Sequence, residues 1–119
     1  MLDPDGRLKV SREGDATLVE LTDRKILDEM SISQIAEHLK ALVAKADPPK
    51  FVIDFTNVAH MSSSVLGMLI TLHKRILEAN GQLRLCGIMP AIMEIFVITR
   101  LNEIFSIFNT REAALASLE

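Results

Sequence analysis

The residues best suited to chemistry in this chain are three consecutive serines, Ser62-Ser63-Ser64, standing between an apolar run and a helical pattern. Such a cluster admits a nucleophile or a phosphate acceptor, or else plain helix capping by a hydroxyl. A hydrolase elbow needs G-x-S-x-G on a strand–turn–helix. His60-Met61-Ser62-Ser63-Ser64-Val65-Leu66-Gly67 lacks those glycines, and no His/acid pair is assigned to Ser63, so serine hydrolysis is the remotest reading. His38, His60 and His73 are spaced 22 and 13 apart with no HExxH, which argues against a metal site. Gly67, Gly81 and Gly87 match neither GxGxxG nor the P-loop, so no phosphate cradle and no cofactor are expected. Gly67, inside a helical pattern, costs about 1 kcal/mol relative to Ala and points to close packing or close approach of a partner. Cys86 is the only cysteine and reads as a small buried hydrophobe at a strand end.

The elements that must position these residues are legible in outline. Leu8 and Val10 alternate with polar neighbours, Glu13-Gly14-Asp15 is a turn, and Ala16 to Thr22 completes a β-hairpin. Thr22 to Glu29 contains Ile26-Leu27, a short edge strand or a pinned loop. Ile32, Ile35, Ala36, Leu39, Leu42 and Val43 recur at helical spacing, with Ser31 and Gln34 as a capping box and Met30 against Ile35 as a staple. Pro48-Pro49 ends that helix, and Phe51 to Phe55 is a buried strand of the parallel kind. The serines open a second helix whose inner face is read as Leu66, Leu69, Ile70, His73, Ile76 and Leu77, stopped by Asn80-Gly81. Gln82 to Cys86 is the next strand, and Pro90 starts a third helix with Ile92, Ile95, Phe96 and Thr99 inward. Ile104 to Phe108 is a last strand, and Asn109 to Glu119 a last helix with Asn109 and Glu112 as its capping box. A hairpin followed by alternating helices and strands predicts one α/β domain over residues 1–119, with a mixed, mainly parallel sheet covered by about four helices.

With the second helix oriented this way, Met68 and Leu72 fall on its outer flank as candidate partner contacts. Met89, Met93 and Val97 form a similar row on the third, read as core edge or as an adaptable contact surface.

Composition excludes several classes. The 119 residues are 49% hydrophobic and 24% charged, which rules out a disordered chain. Sixteen acidic against thirteen basic residues give −3, without a Lys/Arg run, so nucleic acid is not an expected partner. Trp and Tyr are absent, which removes the aromatic platform of a single-strand binder. No apolar run is long enough to span a bilayer, and Met1 to Gly6 is unlike a signal peptide, so a cytoplasmic protein without membrane contact, a monomer by default, is expected.

The run Phe51-Val52-Ile53-Asp54-Phe55, a short loop, then His60 to Gly67 resembles the STAS domain of bacterial anti-sigma factor antagonists. Asn80-Gly81, Leu83-Arg84-Leu85-Cys86-Gly87, Pro90, Phe96 and Leu101 to Ile107 continue the resemblance, which is firmest from Lys50 to Phe108. It implies the STAS fold and a protein that is not an enzyme but binds an anti-sigma factor, often a serine kinase, in a partner-switching pathway regulating transcription. A PP2C-type phosphatase is the implied second partner. The family's loop reads Asp-Ser-Ser/Thr-Gly before Leu-Gly. In that register Ser63 is the phosphate acceptor and Ser64 its neighbour, while Ser62 replaces the Asp and Val65 the Gly. Of the family's Gly-Glu-Leu/Ile-Asp after the second strand, only the Asp is kept, as Asp28. The alternative is a STAS scaffold or sensor that is never phosphorylated.

Overall fold

The computed structural model describes residues 6–118. Period-two alternation builds its first elements. β1 (Leu8–Glu13) and β2 (Ala16–Leu21) pair antiparallel, with Val10 opposite Val19 and Leu8 opposite Leu21. β3 (Lys25–Ile26) is a two-residue strand, and α1 (Glu29–Lys45) follows it. β4 (Lys50–Asp54) is apolar on both faces, as a central parallel strand must be. β5 (His60–Met61), α2 (Ser63–Glu78), β6 (Gln82–Cys86) and α3 (Pro90–Ile98) come next. A short 3-10 turn at Leu101–Glu103, β7 (Ser106–Phe108) and α4 (Arg111–Ala116) complete the chain.

The main sheet runs β1-β2-β4-β6-β7, antiparallel only in the hairpin, and β3 pairs with β5 in a separate parallel ribbon. This is the α/β arrangement with an N-terminal hairpin that the sequence predicts. Val19, Phe51, Ile53, Leu83 and Leu85 point to one face, where they share a core with Ile35 and Leu39 of α1, Leu69 and Ile76 of α2, and Phe96 of α3. Leu18, Val52 and Cys86 point to the other, under Ala114 of α4.

Several boundaries and faces differ from the sequence reading, each for a local reason. Asp28, not Ser31, caps α1: its carboxylate accepts from the Ser31 N–H at 2.9 Å and the Ser31 hydroxyl at 2.7 Å. A carboxylate three residues upstream uses both donors at once, and Ser31 is buried as a result. Met30 is 71% exposed, so the staple does not form. In α2 the buried stripe is Val65, Leu66, Leu69, Leu72 and Ile76, while Ile70 and Leu77 face outward. The helix carries apolar residues on two adjoining stripes, and wedging between α1 and the sheet selects one of them. In α3, Ile92 and Phe96 are buried but Ile95 and Thr99 are exposed. The last strand begins at Ser106, because Phe105 is drawn into the core and Leu101–Glu103 coils as a 3-10 turn. Thr110, not Asn109, caps α4, accepting from the Ala113 N–H at 3.1 Å.

Candidate functional site

The serine loop is held by the small ribbon. Lys25 pairs with His60 and Ile26 with Met61. Beyond that ladder, Ala59 and His60 both donate their N–H to the Arg24 carbonyl, and Ser62 donates to the Ile26 carbonyl at 2.9 Å. The extended backbone of Ser62 (φ −83°, ψ 163°) then turns into α2, with the Ser62 carbonyl accepting from the Val65 N–H. Ser62, not Ser63, is therefore the N-cap residue, and its side chain makes no capping bond: Oγ is buried without a partner. Ser63 is the first helical residue and is exposed. Ser63 therefore lies one residue inside the cap position, and the Ser62 side chain that occupies it makes no cap bond. Ser64 donates its hydroxyl to Glu29 Oε1 at 2.9 Å, tying the first turn of α2 to the first turn of α1.

Asp28 heads α1, so its neighbourhood and the serine loop are brought to one end of the molecule. The Asp28 carboxylate serves the α1 cap, and the hydrogen bonds from the Ser31 hydroxyl and backbone lower its pKa. The proposed flank on α2 is corrected. Leu72 is 3% exposed, packed between helices, and Met68 is half-buried in the crease between α1 and α2, against Ile32 and Ala36. Sequence reasoning missed the apolar side chains that do stand open around the loop: Leu27 at 51%, Met30 at 71% and Ile95 at 36%. The signal lay in Leu27 and Met30, two apolar residues flanking the acidic pair Asp28-Glu29 where a turn needs neither.

The STAS domain family matches residues 9–114. The chain belongs to the STAS domain family. A protein of Bordetella bronchiseptica named as an anti-sigma factor antagonist, BtrV, is 29% identical over 94 residues, 79% of this chain and 80% of the relative. The solved structure of an anti-sigma-factor antagonist (STAS) domain protein from Planctomyces limnophilus superposes with a TM-score of 0.82 at 29% identity, covering 92% of this chain and 96% of that one. An anti-sigma factor antagonist of Mycobacterium paratuberculosis superposes at 0.83 with 22% identity, covering 99% and 98%.

Within this STAS domain a second polar assembly sits where β2, β4 and β6 end. Asp54 closes β4 and is 3% exposed. Its Oδ1 accepts from the Thr56 hydroxyl and, at 2.9 Å, from the Thr56 N–H. Its Oδ2 accepts from Arg111 Nη2 at 2.7 Å and Nε at 3.1 Å, and Arg111 also reaches Glu20 at 2.9 Å. Burial opposes ionisation of Asp54, yet the Thr56 and Arg111 bonds outweigh it and hold its pKa below the ordinary value. Burial, reinforced by the Asp54 charge, pushes the Cys86 thiol up to about 12, so the thiolate nucleophile is suppressed there.

Among the described residues no histidine or carboxylate hydrogen-bonds Ser63. His73 packs edge-on against Phe105 at 5.2 Å, and burial lowers its pKa. No group of three potential metal ligands occurs among the described residues, and none of their helices is long and apolar enough to cross a membrane.

Proposed function

We propose that the chain is an anti-sigma factor antagonist: it binds an anti-sigma factor of the serine-kinase type in a partner-switching pathway that controls transcription. Phosphorylation of Ser63 releases the partner, and a PP2C-type phosphatase restores binding. The observation that carries this reading is the setting of Ser63, exposed at the first position of α2 on a loop clamped by the β3–β5 ribbon. A hydroxyl there is open to a kinase. A phosphate added to it would lie by the free N–H groups of the helix, so the domain tolerates it without refolding. A partner seated on the loop would instead meet a charge of about −1.5 to −2 and a desolvation cost. Gly67 supports the same surface. A Cβ there would meet nothing within 4 Å, so packing inside the domain does not explain a mid-helix glycine, and close approach by a partner does. Relatives named as anti-sigma factor antagonists support the partner class.

One observation favours the scaffold alternative. The Glu29 carboxylate already takes the Ser64 hydroxyl beside Ser63, and a phosphate would have to sit near it. Capture of anti-sigma kinases by the wild type, Ser63→Ala and Ser63→Asp, with a radiolabelled ATP assay alongside, separates the two. The switch requires labelling of wild type but not Ser63→Ala, with Ser63→Ala still bound and Ser63→Asp released. Equal capture of all three, without labelling, assigns the chain to the scaffold class.

A further inference from the structure

We propose that the hollow between the β3–β5 ribbon and α3 is a docking groove for an acidic amphipathic segment of a partner protein. The hollow measures about 360 Å³, and its walls are apolar: Leu27 and Met61 on the ribbon side, Ala91, Ile92 and Ile95 on the helix side. Leu27 and Ile95 remain 51% and 36% exposed across it. α3 itself argues for a cover. Its nine residues carry a single charge, Glu94, and a helix that apolar is normally buried all round. Here Ile92 and Phe96 face the core, while Ala91, Ile95 and Ile98 form an i, i+4, i+7 stripe open to solvent, with Ile98 80% exposed. Burying such side chains is favourable because it removes apolar surface from water, and no part of the described chain does so.

Charge selects the occupant. The rim carries Lys25 and His60, with Arg24 next along the ribbon, all exposed. Among the described residues none of the three has a carboxylate within 4.0 Å. Of the acidic neighbours, Asp23 is paired with Arg7 at 2.6 Å, while Asp28 and Glu29 hold neutral donors, the Ser31 N–H and the Ser64 hydroxyl, at the serine-loop end. Glu94 lines a different hollow with Met93, Val97 and Ile98, so the groove's own helix wall is Ala91, Ile92 and Ile95. A chain of net charge −3 thus presents two exposed cations, Arg24 and Lys25, beside an apolar trough, and the complement is a segment with apolar anchors and carboxylates.

The ribbon wall runs straight from Met61 into Ser62 and Ser63. A phosphate on Ser63 would face the same carboxylates and repel them, which gives the proposed switch a physical basis. That last step rests on the functional reading above; the groove and its charge preference do not.

Two synthetic helical peptides of about 15 residues, with one leucine stripe and either Glu or Lys on the polar face, test it against the whole chain by NMR titration. The Glu peptide should bind at least about tenfold more tightly than the Lys peptide. It should shift the amides of Leu27, Met61 and Ile95. Ile95→Asp should abolish binding, and the exposed pair Arg24→Glu with Lys25→Glu, which leaves the core untouched, should reverse the preference. Equal affinities, or shifts confined to the crease between α1 and α2, would overturn the groove. So would saturation by a second copy, seen as a dimer in sedimentation that Ile95→Asp dissolves. Failure of Ser63→Asp to release the anti-sigma kinase would instead overturn the phosphorylation switch, and the peptide titration decides the groove independently of that result.

Discussion

Asp54 ends one parallel strand and Ser63 lies just beyond another, and the chain treats them in opposite ways. Around Asp54 every polar group is answered from within: Thr56, Arg111 and Glu20 close a network over a carboxylate that is 3% exposed. Around Ser63 the chain leaves things open: an exposed hydroxyl, an uncapped side chain at Ser62, and apolar side chains at Leu27, Met30 and Ile95 facing solvent. The first pattern pins α4 to the sheet. The second holds a surface in place and leaves its free energy for another molecule. Charge and polarity alone would have ranked the Asp54 cluster as the more interesting site; satisfaction of its bonds marks it as structural.

The contrast can be broken most sharply at Gly87. Its φ is +69°, and an added Cβ would collide with Thr56 Oγ1 and lie 2.7 Å from Asp54 Oδ1. Gly87→Ala should cost about 2–4 kcal/mol, from left-handed strain and a disrupted network, read by urea unfolding. A loss below about 0.5 kcal/mol would show the network to be dispensable.

Arg111→Met should cost about 1–3 kcal/mol at neutral pH, since it leaves a buried carboxylate served by Thr56 alone. The pKa of Asp54 is lowered in the fold, so its contribution is present above the ordinary value of 3.8 and fades as pH falls through the lower folded value. The stability gap between wild type and variant should therefore narrow below pH 3.8. A gap that stays constant there would mean the guanidinium acts through packing.

On the open side the expected effects are smaller, and one changes sign. Gly67→Ala should stabilise the domain by about 1 kcal/mol, because helix propensity improves and the new methyl meets nothing. Capture of the partner should weaken at the same time. Unchanged capture would remove the close-approach explanation for the glycine.

Smallest of all, Ser63→Ala should shift stability by less than about 0.5 kcal/mol, since an exposed first-turn hydroxyl outside the cap holds nothing. A loss nearer 1 kcal/mol in thermal melts would mean that Ser63 caps the helix after all.

The sequence by itself determined the architecture. Alternation in Leu8–Leu21, the doubly apolar run of Phe51, Val52 and Ile53, and the 3.6-residue pattern of Ile32, Ile35 and Leu39 are local and redundant, so each element survives an error of one residue. It also placed Ser63 at a helix start, because a serine cluster before an apolar helical pattern has few other uses. What it left undecided is rotational and pairwise. α2 carries apolar residues on adjoining stripes, and only packing against α1 turns Leu72 inward and Ile70 outward. Ser31 and Asp28 are both good caps in isolation, and the competition ends when one carboxylate accepts two bonds. The Asp54–Arg111 pair joins residues 57 positions apart, and the β3–β5 ribbon joins segments with no shared periodicity. Such contacts are absent from any local window, and tertiary structure alone sets them, because a two-residue strand or a lone ion pair has no sequence pattern of its own.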